Sequence, residues 1–115
     1  MSEDELNRLP PALRQKKRYL KFKIYSEGEI ALGELVDSVW EECLSYLGTK
    51  ETSEADFWII GNQFNKEKQE GIAKVKREKA DEFRASLGLI EKINGEKVVV
   101  KVTEVSGSIK NLKDD

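Results

Sequence analysis

Six cationic side chains lie within ten consecutive positions near the start of the chain, with no acidic residue among them. Arginine guanidinium groups form paired hydrogen bonds with phosphate oxygens, and lysine ammonium groups act as mobile point charges. Because like charges packed so densely repel one another, the run indicates a polyanionic ligand. Nucleic acid is the favoured candidate; an anionic membrane and an acidic protein are the alternatives. The six residues are Arg14, Lys16, Lys17, Arg18, Lys21 and Lys23.

The positive charge is local. The whole chain carries 20 Lys and Arg against 22 Asp and Glu, a net charge of −2. Outside residues 9–23, the remaining 100 residues hold 14 cations and 22 acids, a net charge of −8. A polyanion is therefore expected to meet one particular face of the protein.

Other site chemistries find little support. The chain has no histidine, which removes the commonest general base and zinc ligand. Cys43 is the single cysteine, so it excludes an internal disulfide and is typical of a reducing cytoplasm. The longest apolar run is Val98–Val100, too short to span a membrane, and the acidic first residues predict no signal peptide. We expect a cytoplasmic protein with no catalytic residue and no metal ligand of its own.

The run continues into a predicted strand. Residues 19–25 alternate strictly, which is typical of a half-buried strand. The predicted buried side holds Leu20, Phe22 and Ile24, and the open side holds Tyr19, Lys21, Lys23 and Tyr25.

Further elements follow from periodicity and turn residues. We predict an amphipathic helix stopped by Gly48, strands over 56–64 and 70–76, a helix over about 79–93 and a strand over 97–105. Ser106 is predicted to cap a short terminal helix. The buried stripe of the first helix is predicted to contain Leu32, Leu35, Val36, Val39, Trp40, Cys43 and Leu47.

The element order, strand-helix-strand-strand-helix-strand, predicts an α+β fold. It matches a ferredoxin-like, RRM-like sandwich of four antiparallel strands with both helices on one face and the first and third strands in the middle. We expect residues 9–112 to form one domain, with an acidic flexible tail at 1–8 and a short tail at 113–115.

The open face of this predicted sheet collects more lysines, among them Lys74, Lys76 and Lys101. Taken alone, these three are more typical of a solvated surface than of a binding one. An RNA-recognition motif stacks bases on aromatic residues of its third strand, where this chain has Ile72, Lys74 and Lys76. We therefore expect phosphate contacts and little base stacking.

The stretch "FWII" is apolar on both sides of its predicted strand. A two-sided apolar strand in a one-sheet domain suggests cover by a partner or a second copy, or by a terminal segment of the same chain. The residues predicted for a partner interface are Phe57, Trp58 and Ile60.

Two terminal stretches, "LPPALRQKKRYLKFKI" and "VSGSIKNL", together resemble the archaeal ribonuclease P protein component 2 family. Family members open with Leu-Pro-Pro-x-Leu-Arg-x-Lys-Lys-Arg-Tyr and close with Val-Ser-Gly-Thr-Ile-Arg or a near variant. This sequence has Ser108 and Lys110 where the family often has Thr and Arg, and lysine keeps the charge without the bidentate fork. The family's functional residues correspond to 9–19 and 106–110.

The resemblance implies a protein subunit of the ribonucleoprotein endonuclease that removes 5′ leaders from precursor tRNA. RNA is the catalyst there and uses Mg²⁺, so no cofactor is expected on the protein. It also implies pairing with the TIM-barrel protein component 3, two copies of each with self-association, and no membrane. Including the family's terminal motif, the predicted RNA-binding residues are Arg14, Lys16, Lys17, Arg18, Lys21, Lys23, Lys74, Lys76 and Lys110.

Two other hypotheses fit the predicted fold. A ferredoxin-like regulatory module that senses a ligand would explain the apolar "FWII" but leaves the cations without a role. An acylphosphatase-like hydrolase would need an arginine-bearing anion loop after the first strand. That loop reads "SEGEIALGE", which is acidic and lacks arginine.

Overall fold

The structure, a computed structural model, describes residues 16–112. The predicted tails at 1–8 and 113–115 and the predicted contact of Arg14 lie outside these residues. The elements are β1 (Lys17–Ser26), α1 (Leu32–Ala55), β2 (Trp58–Ile59), β3 (Glu70–Lys76), α2 (Ala80–Gly88), β4 (Lys92–Ile93) and β5 (Glu96–Ser106). Short 3₁₀ turns occupy Gly61–Gln63, Arg77–Lys79 and Ile109–Asn111.

The described strands form one antiparallel sheet in the order β2-β3-β1-β5-β4. The first and third predicted strands, β1 and β3, are interior strands as expected. The predicted number of four strands is wrong, because this part of the chain forms five. The fifth is β4, which lies where the second helix was predicted to continue.

The error at β4 comes from one dipeptide. Asn94 and Gly95 both have positive φ, 51° and 79°, and they join β4 to β5 as a two-residue hairpin. Left-handed conformations at both central positions are typical of the type I′ hairpin turn, which Asn-Gly favours. In sequence the same dipeptide also terminates helices, so α2 was predicted to reach residue 93 although it ends at Gly88.

The core lies between the sheet and both helices. Leu20, Phe22 and Ile24 of β1 are 1–2% exposed, which confirms the predicted alternation. Burying a large apolar side chain contributes about 1.5–3 kcal/mol, so the core supplies most of the folding free energy. These residues share one cluster with Leu35, Val39, Cys43, Ala73, Val75, Phe83, Leu87, Val98, Val100 and Val102.

Helix α1 is interrupted where the sequence predicted its end. Gly48 has φ 84° and ψ 169°, values outside the helical region, but helical structure resumes and continues to Ala55. The Thr52 hydroxyl donates to the Cys43 carbonyl at 2.9 Å and so connects the two segments across the break. The predicted strand over 56–64 is limited to Trp58–Ile59, because a 3₁₀ turn at Gly61–Gln63 follows it.

Trp40 was predicted to be buried, and this is wrong. Its side chain is 43% exposed and lies against the ring of Phe57, with 4.4 Å between ring centroids. Phe57 in turn contacts Phe83 at 4.9 Å and is only 4% exposed. The ring that completes the core at this position is therefore Phe57, and Trp40 covers it from outside.

A β-bulge in β5 changes which residues share the open face. Lys21 of β1 lies opposite Glu104, but the next residue, Phe22, lies opposite Val102. Thr103 is left over, and its hydroxyl donates to the Lys21 carbonyl at 3.3 Å. Because the bulge reverses the alternation, Glu104 joins the face that carries Lys21.

Gly71 is required by packing. A Cβ at this position would lie 2.7 Å from Cζ of Phe22 and 3.1 Å from Cδ1 of Phe64. We predict that Gly71→Ala lowers the free energy of unfolding by about 1–3 kcal/mol, measured by urea denaturation. Gly33→Ala is the control, because nothing lies within 4 Å of its added Cβ in the first turn of α1, and it should be neutral or stabilising. Equal loss in both variants would contradict the packing argument.

Cys43 is fully buried, and desolvation raises the pKa of its thiol from 9.0 to about 11. Only the thiolate reacts with disulfide reagents, so burial and a low thiolate fraction act together. At pH 8 we predict that the folded protein is labelled at least about 100-fold more slowly than the urea-unfolded chain. Rapid, stoichiometric labelling of the folded protein would show that Cys43 is accessible instead.

Candidate nucleic-acid interface

Strand pairing brings cations from separate parts of the sequence to one end of the sheet. Lys17 of β1 lies opposite Lys76 of β3, and the neighbouring Tyr19 lies opposite Lys74. The backbone N–H of Arg77 donates to the Lys16 carbonyl at 2.9 Å, which holds the chain after β3 beside the start of β1. We call this region the cationic end; it consists of Lys16, Lys17, Arg18, Lys74, Lys76, Arg77 and Lys110.

The C-terminal segment joins this region from the other side of β1. Ser106, the last residue of β5, lies opposite Tyr19. An added Cβ at Gly107 would lie 3.3 Å from Nη1 of Arg18, so the missing side chain lets the guanidinium approach. The Ser106 hydroxyl accepts the N–H of Ser108 at 3.1 Å, and the predicted terminal helix is the 3₁₀ turn that carries Lys110. The described part of the first terminal motif, residues 16–24, thus lies beside the second motif.

The Arg18 guanidinium donates to the Lys17 carbonyl at 3.2 Å. A guanidinium has five N–H donors, so this bond leaves donors for a phosphate while it limits the side chain's freedom. Lys16, Arg77 and Lys110 are exposed.

Charge in this region is only partly compensated. Lys17 Nζ lies 2.9 Å from Oδ2 of Asp56. Neither Lys74 nor Lys76 has a carboxylate oxygen within 4.0 Å among residues 16–112. Like charges directly opposite each other on neighbouring strands, as with Lys17 and Lys76, disfavour folding. A bound anion between them would offset that cost.

The predicted sites at Lys21 and Lys23 have different surroundings. Lys21 lies opposite Glu104 across the bulge, and Lys23 lies between Glu70 on β3 and Lys101 on β5. The ammonium of Lys23 also lies 5.6 Å from the centroid of the Tyr25 ring. Positive charge on the open face is therefore concentrated towards the cationic end, where the first half of β1 lies.

Arg77 was not among the predicted binding residues. The predicted strand ends at Lys76, so its alternation does not place Arg77 on either face of the sheet. Its position follows from the hydrogen bond to Lys16, a contact between residues distant in sequence. The local signal was the third cation in the run Lys74-x-Lys76-Arg77.

The predicted partner-interface residues differ in how exposed they are. Phe57 is in the core and only 4% exposed, so it offers little contact area to a partner. Ile60 is half-buried, whereas Trp58 is 65% exposed. Ile72, which alternation places on the open face, is 4% exposed although it lies outside the core cluster. Part of the open face is therefore covered rather than solvated.

The loop after β1, where an acylphosphatase-like hydrolase would need its anion site, is already occupied by hydrogen bonds. The N–H of Gly28 donates to Oε1 of Glu96 at 3.0 Å, and the N–H of Ile30 donates to Oε1 of Gln69 at 2.8 Å. Donors committed to a carboxylate and an amide are not available to a phosphate, which argues against that hypothesis.

The helical side of the protein has the opposite charge character. A shallow groove between α1 and the α2–β4 connection is lined by three carboxylates and one lysine, with Leu89 beside them. The charged residues are Glu41, Glu42, Glu91 and Lys92. Among residues 16–112, no three His, Cys, Asp or Glu side chains lie close enough to hold a metal ion. In that part of the chain, no helix has the length and apolar character needed to cross a membrane.

The chain is a small α+β domain with cations at one end of its sheet and acidic residues on its helices. This arrangement is typical of a protein that binds a polyanion on one side. Comparison with known proteins identifies the family. The model of the Rpp14/Pop5 family matches residues 18–115, and the chain belongs to this family. The resemblance inferred from the two terminal motifs is thereby confirmed.

The similar relatives include two proteins from archaea. The chain is 42% identical over 105 residues to ribonuclease P protein component 2 of Pyrococcus furiosus, covering 91% of this chain and 86% of that protein. It is 37% identical over 108 residues to ribonuclease P protein component 2 of Methanocaldococcus jannaschii, covering 94% and 78%. The fold is similar to a chain in the cryo-EM structure of yeast ribonuclease MRP, with a TM-score of 0.67, 13% identity and coverage of 83% and 76%.

The opposed lysines predict a conflict between stability and binding. Lys76→Gln removes the repulsion with Lys17, so we expect the free protein to gain about 0.2–1 kcal/mol in urea denaturation at low salt. The gain should shrink as salt screens the charges. Lys68→Gln, an exposed turn residue with no opposite cation, is the control and should change little. A stability loss in Lys76→Gln would contradict net repulsion between Lys17 and Lys76.

Proposed function

We propose that this chain is a protein subunit of a ribonuclease P ribonucleoprotein, in which it binds and stabilises the catalytic RNA for removal of 5′ leaders from precursor tRNA. The observation that carries the proposal is the convergence of cations from β1, β3 and the C-terminal segment on one end of a rigid sheet, in a member of the Rpp14/Pop5 family. A ferredoxin-like sandwich and a cytoplasmic location belong to the same proposal.

The chemistry of the cationic end suits this role. A catalytic RNA folds its phosphates close together, and their repulsion must be offset by positive charge. Cations held on paired strands supply that charge in a fixed arrangement, with little ordering cost at the moment of binding. We propose that Mg²⁺ ions bind the RNA and that the RNA performs the cleavage, so the protein acts through binding alone.

The proposed protein partner is a TIM-barrel subunit, component 3, in an assembly of two copies of each chain. The acidic helical side supports this pairing. Because its carboxylates repel RNA, that side remains available for a protein partner. Trp40, Leu44 and Leu89 are 43–47% exposed on that side, which provides apolar contact area beside the acids. The alternative of a ligand-sensing regulatory module has no support in the family or in the fold comparison.

Salt dependence tests the proposed RNA contact. Each phosphate contact contributes roughly 0.7–0.9 to the slope of log affinity against log salt concentration. We predict that replacing both Lys74 and Lys76 by glutamine lowers that slope for ribonuclease P RNA by about 1.4–1.8. Replacing Lys92 and Lys97 by glutamine removes the same charge at the opposite end of the fold and should leave the slope unchanged.

The same variants should then be assayed for precursor-tRNA cleavage in the ribonucleoprotein reconstituted with the RNA and the TIM-barrel partner. The Lys74/Lys76 variant should cleave more slowly at limiting protein concentration, and the Lys92/Lys97 variant should match the unmodified protein. A flat salt dependence of the unmodified protein, or equal effects of the two pairs, would refute the proposed function.

A further inference from the structure

Trp58 lies on the open face at the edge of the sheet. In β2, Ile59 lies opposite Ala73 and belongs to the core, so the preceding residue, Trp58, projects to the other face. Its side chain is 65% exposed. Trp58 lies opposite Lys74, which itself lies opposite Tyr19 on β1.

These residues form one row across three strands. Neighbouring strands are about 4.8 Å apart, so the Trp58 and Tyr19 positions are separated by roughly 10 Å with Lys74 between them. An exposed indole beside an ammonium group combines a flat stacking surface with a phosphate ligand. Proteins that bind unpaired nucleic acid use this pair of features.

The surroundings of Trp58 favour a nucleotide over a protein surface. Lys76 is diagonal to it on β3, and neither Lys74 nor Lys76 has a carboxylate within 4.0 Å among residues 16–112. The adjacent apolar residues, Ile60 and Ile72, are half-buried and buried. A protein hot spot is normally enclosed by further exposed contact area, whereas here the exposed apolar surface is largely one indole ring.

We propose that Trp58 stacks on an unpaired base of the bound RNA while Lys74 and Lys76 hold the adjoining phosphates. The inference rests on the proposed function. It adds that this site binds an unpaired segment of the RNA. It also revises the expectation of little base stacking, which considered aromatic residues on the third strand only. Here the aromatic residue comes from the edge strand next to it.

Tryptophan fluorescence can report on the contact between Trp58 and a base. The chain has two tryptophans, so Trp40→Phe leaves Trp58 as the single indole. In this background, stacking predicts quenching by single-stranded oligoadenylate and little quenching by a perfectly paired RNA duplex of the same length. Equal quenching by both, or none by either at concentrations that saturate binding, would overturn the inference.

Substitution of Trp58 measures how much stacking contributes to RNA affinity. Trp58→Leu should weaken binding of oligoadenylate and of ribonuclease P RNA roughly tenfold to hundredfold, with the salt slope unchanged because stacking releases no counterions. Trp58→Phe should retain most of the affinity. Tyr46→Leu removes another exposed aromatic ring, on α1, and should have no effect. Thermal unfolding of each variant verifies that it is folded.

The outcomes separate the two proposals. If the unmodified protein binds RNA with a steep salt dependence but Trp58→Leu binds equally well, the stacking inference fails and the proposed function stands. If Trp58→Leu weakens association with the TIM-barrel partner and leaves RNA affinity intact, Trp58 is a protein contact and the inference is wrong. If the unmodified protein binds no RNA, both fail.

Discussion

Hydrogen bonding of β1 to a strand on each side is the constraint on which the rest of the structure depends. The strand is paired with β3 and β5, so its alternation is fixed from both edges. A slip of one residue would move Leu20, Phe22 and Ile24 into solvent and the lysines into the core. Each large core side chain contributes about 1.5–3 kcal/mol, against roughly 0.2–1 kcal/mol for an opposed like-charge pair. The core therefore holds the cations in positions that their own repulsion disfavours.

The fold also separates charge. Cations gather where β1 begins, where β3 ends and where the chain leaves β5, while the groove between α1 and the α2–β4 connection is lined by three carboxylates and one lysine. Compensation is uneven even within the sheet. Lys21 faces Glu104, and Lys23 lies between Glu70 and Lys101. Lys76 instead faces Lys17, whose ammonium is paired with Asp56. A polyanion approaching the domain is consequently attracted to one end and repelled from the helices. Binding in a fixed orientation needs no deep pocket under these conditions.

Much of this arrangement could be predicted from the sequence. Period-two alternation predicted β1, β3 and the inward side of β5 correctly, because burial on one face dictates that pattern. What could not be predicted depended on tertiary contacts or on ambiguous turns. In the local sequence, Asn94-Gly95 is equally compatible with the end of a helix and with a hairpin turn. Only the pairing of β4 with β5 shows that it forms a hairpin turn. Similarly, Arg77 joins the cationic end through a hydrogen bond to Lys16, and Phe57 is buried because Trp40 and Phe83 surround it.

If the proposed function is correct, RNA binds the cationic end and avoids the helical side. Lysine acetylation footprinting, read by mass spectrometry with and without ribonuclease P RNA, tests it most directly. RNA bound at the cationic end should strongly protect Lys16, Lys74 and Lys76, while Lys50 on α1 and Lys92 on the hairpin remain reactive. Protection of Lys50 and Lys92 with unchanged reactivity at Lys74 and Lys76 would contradict it.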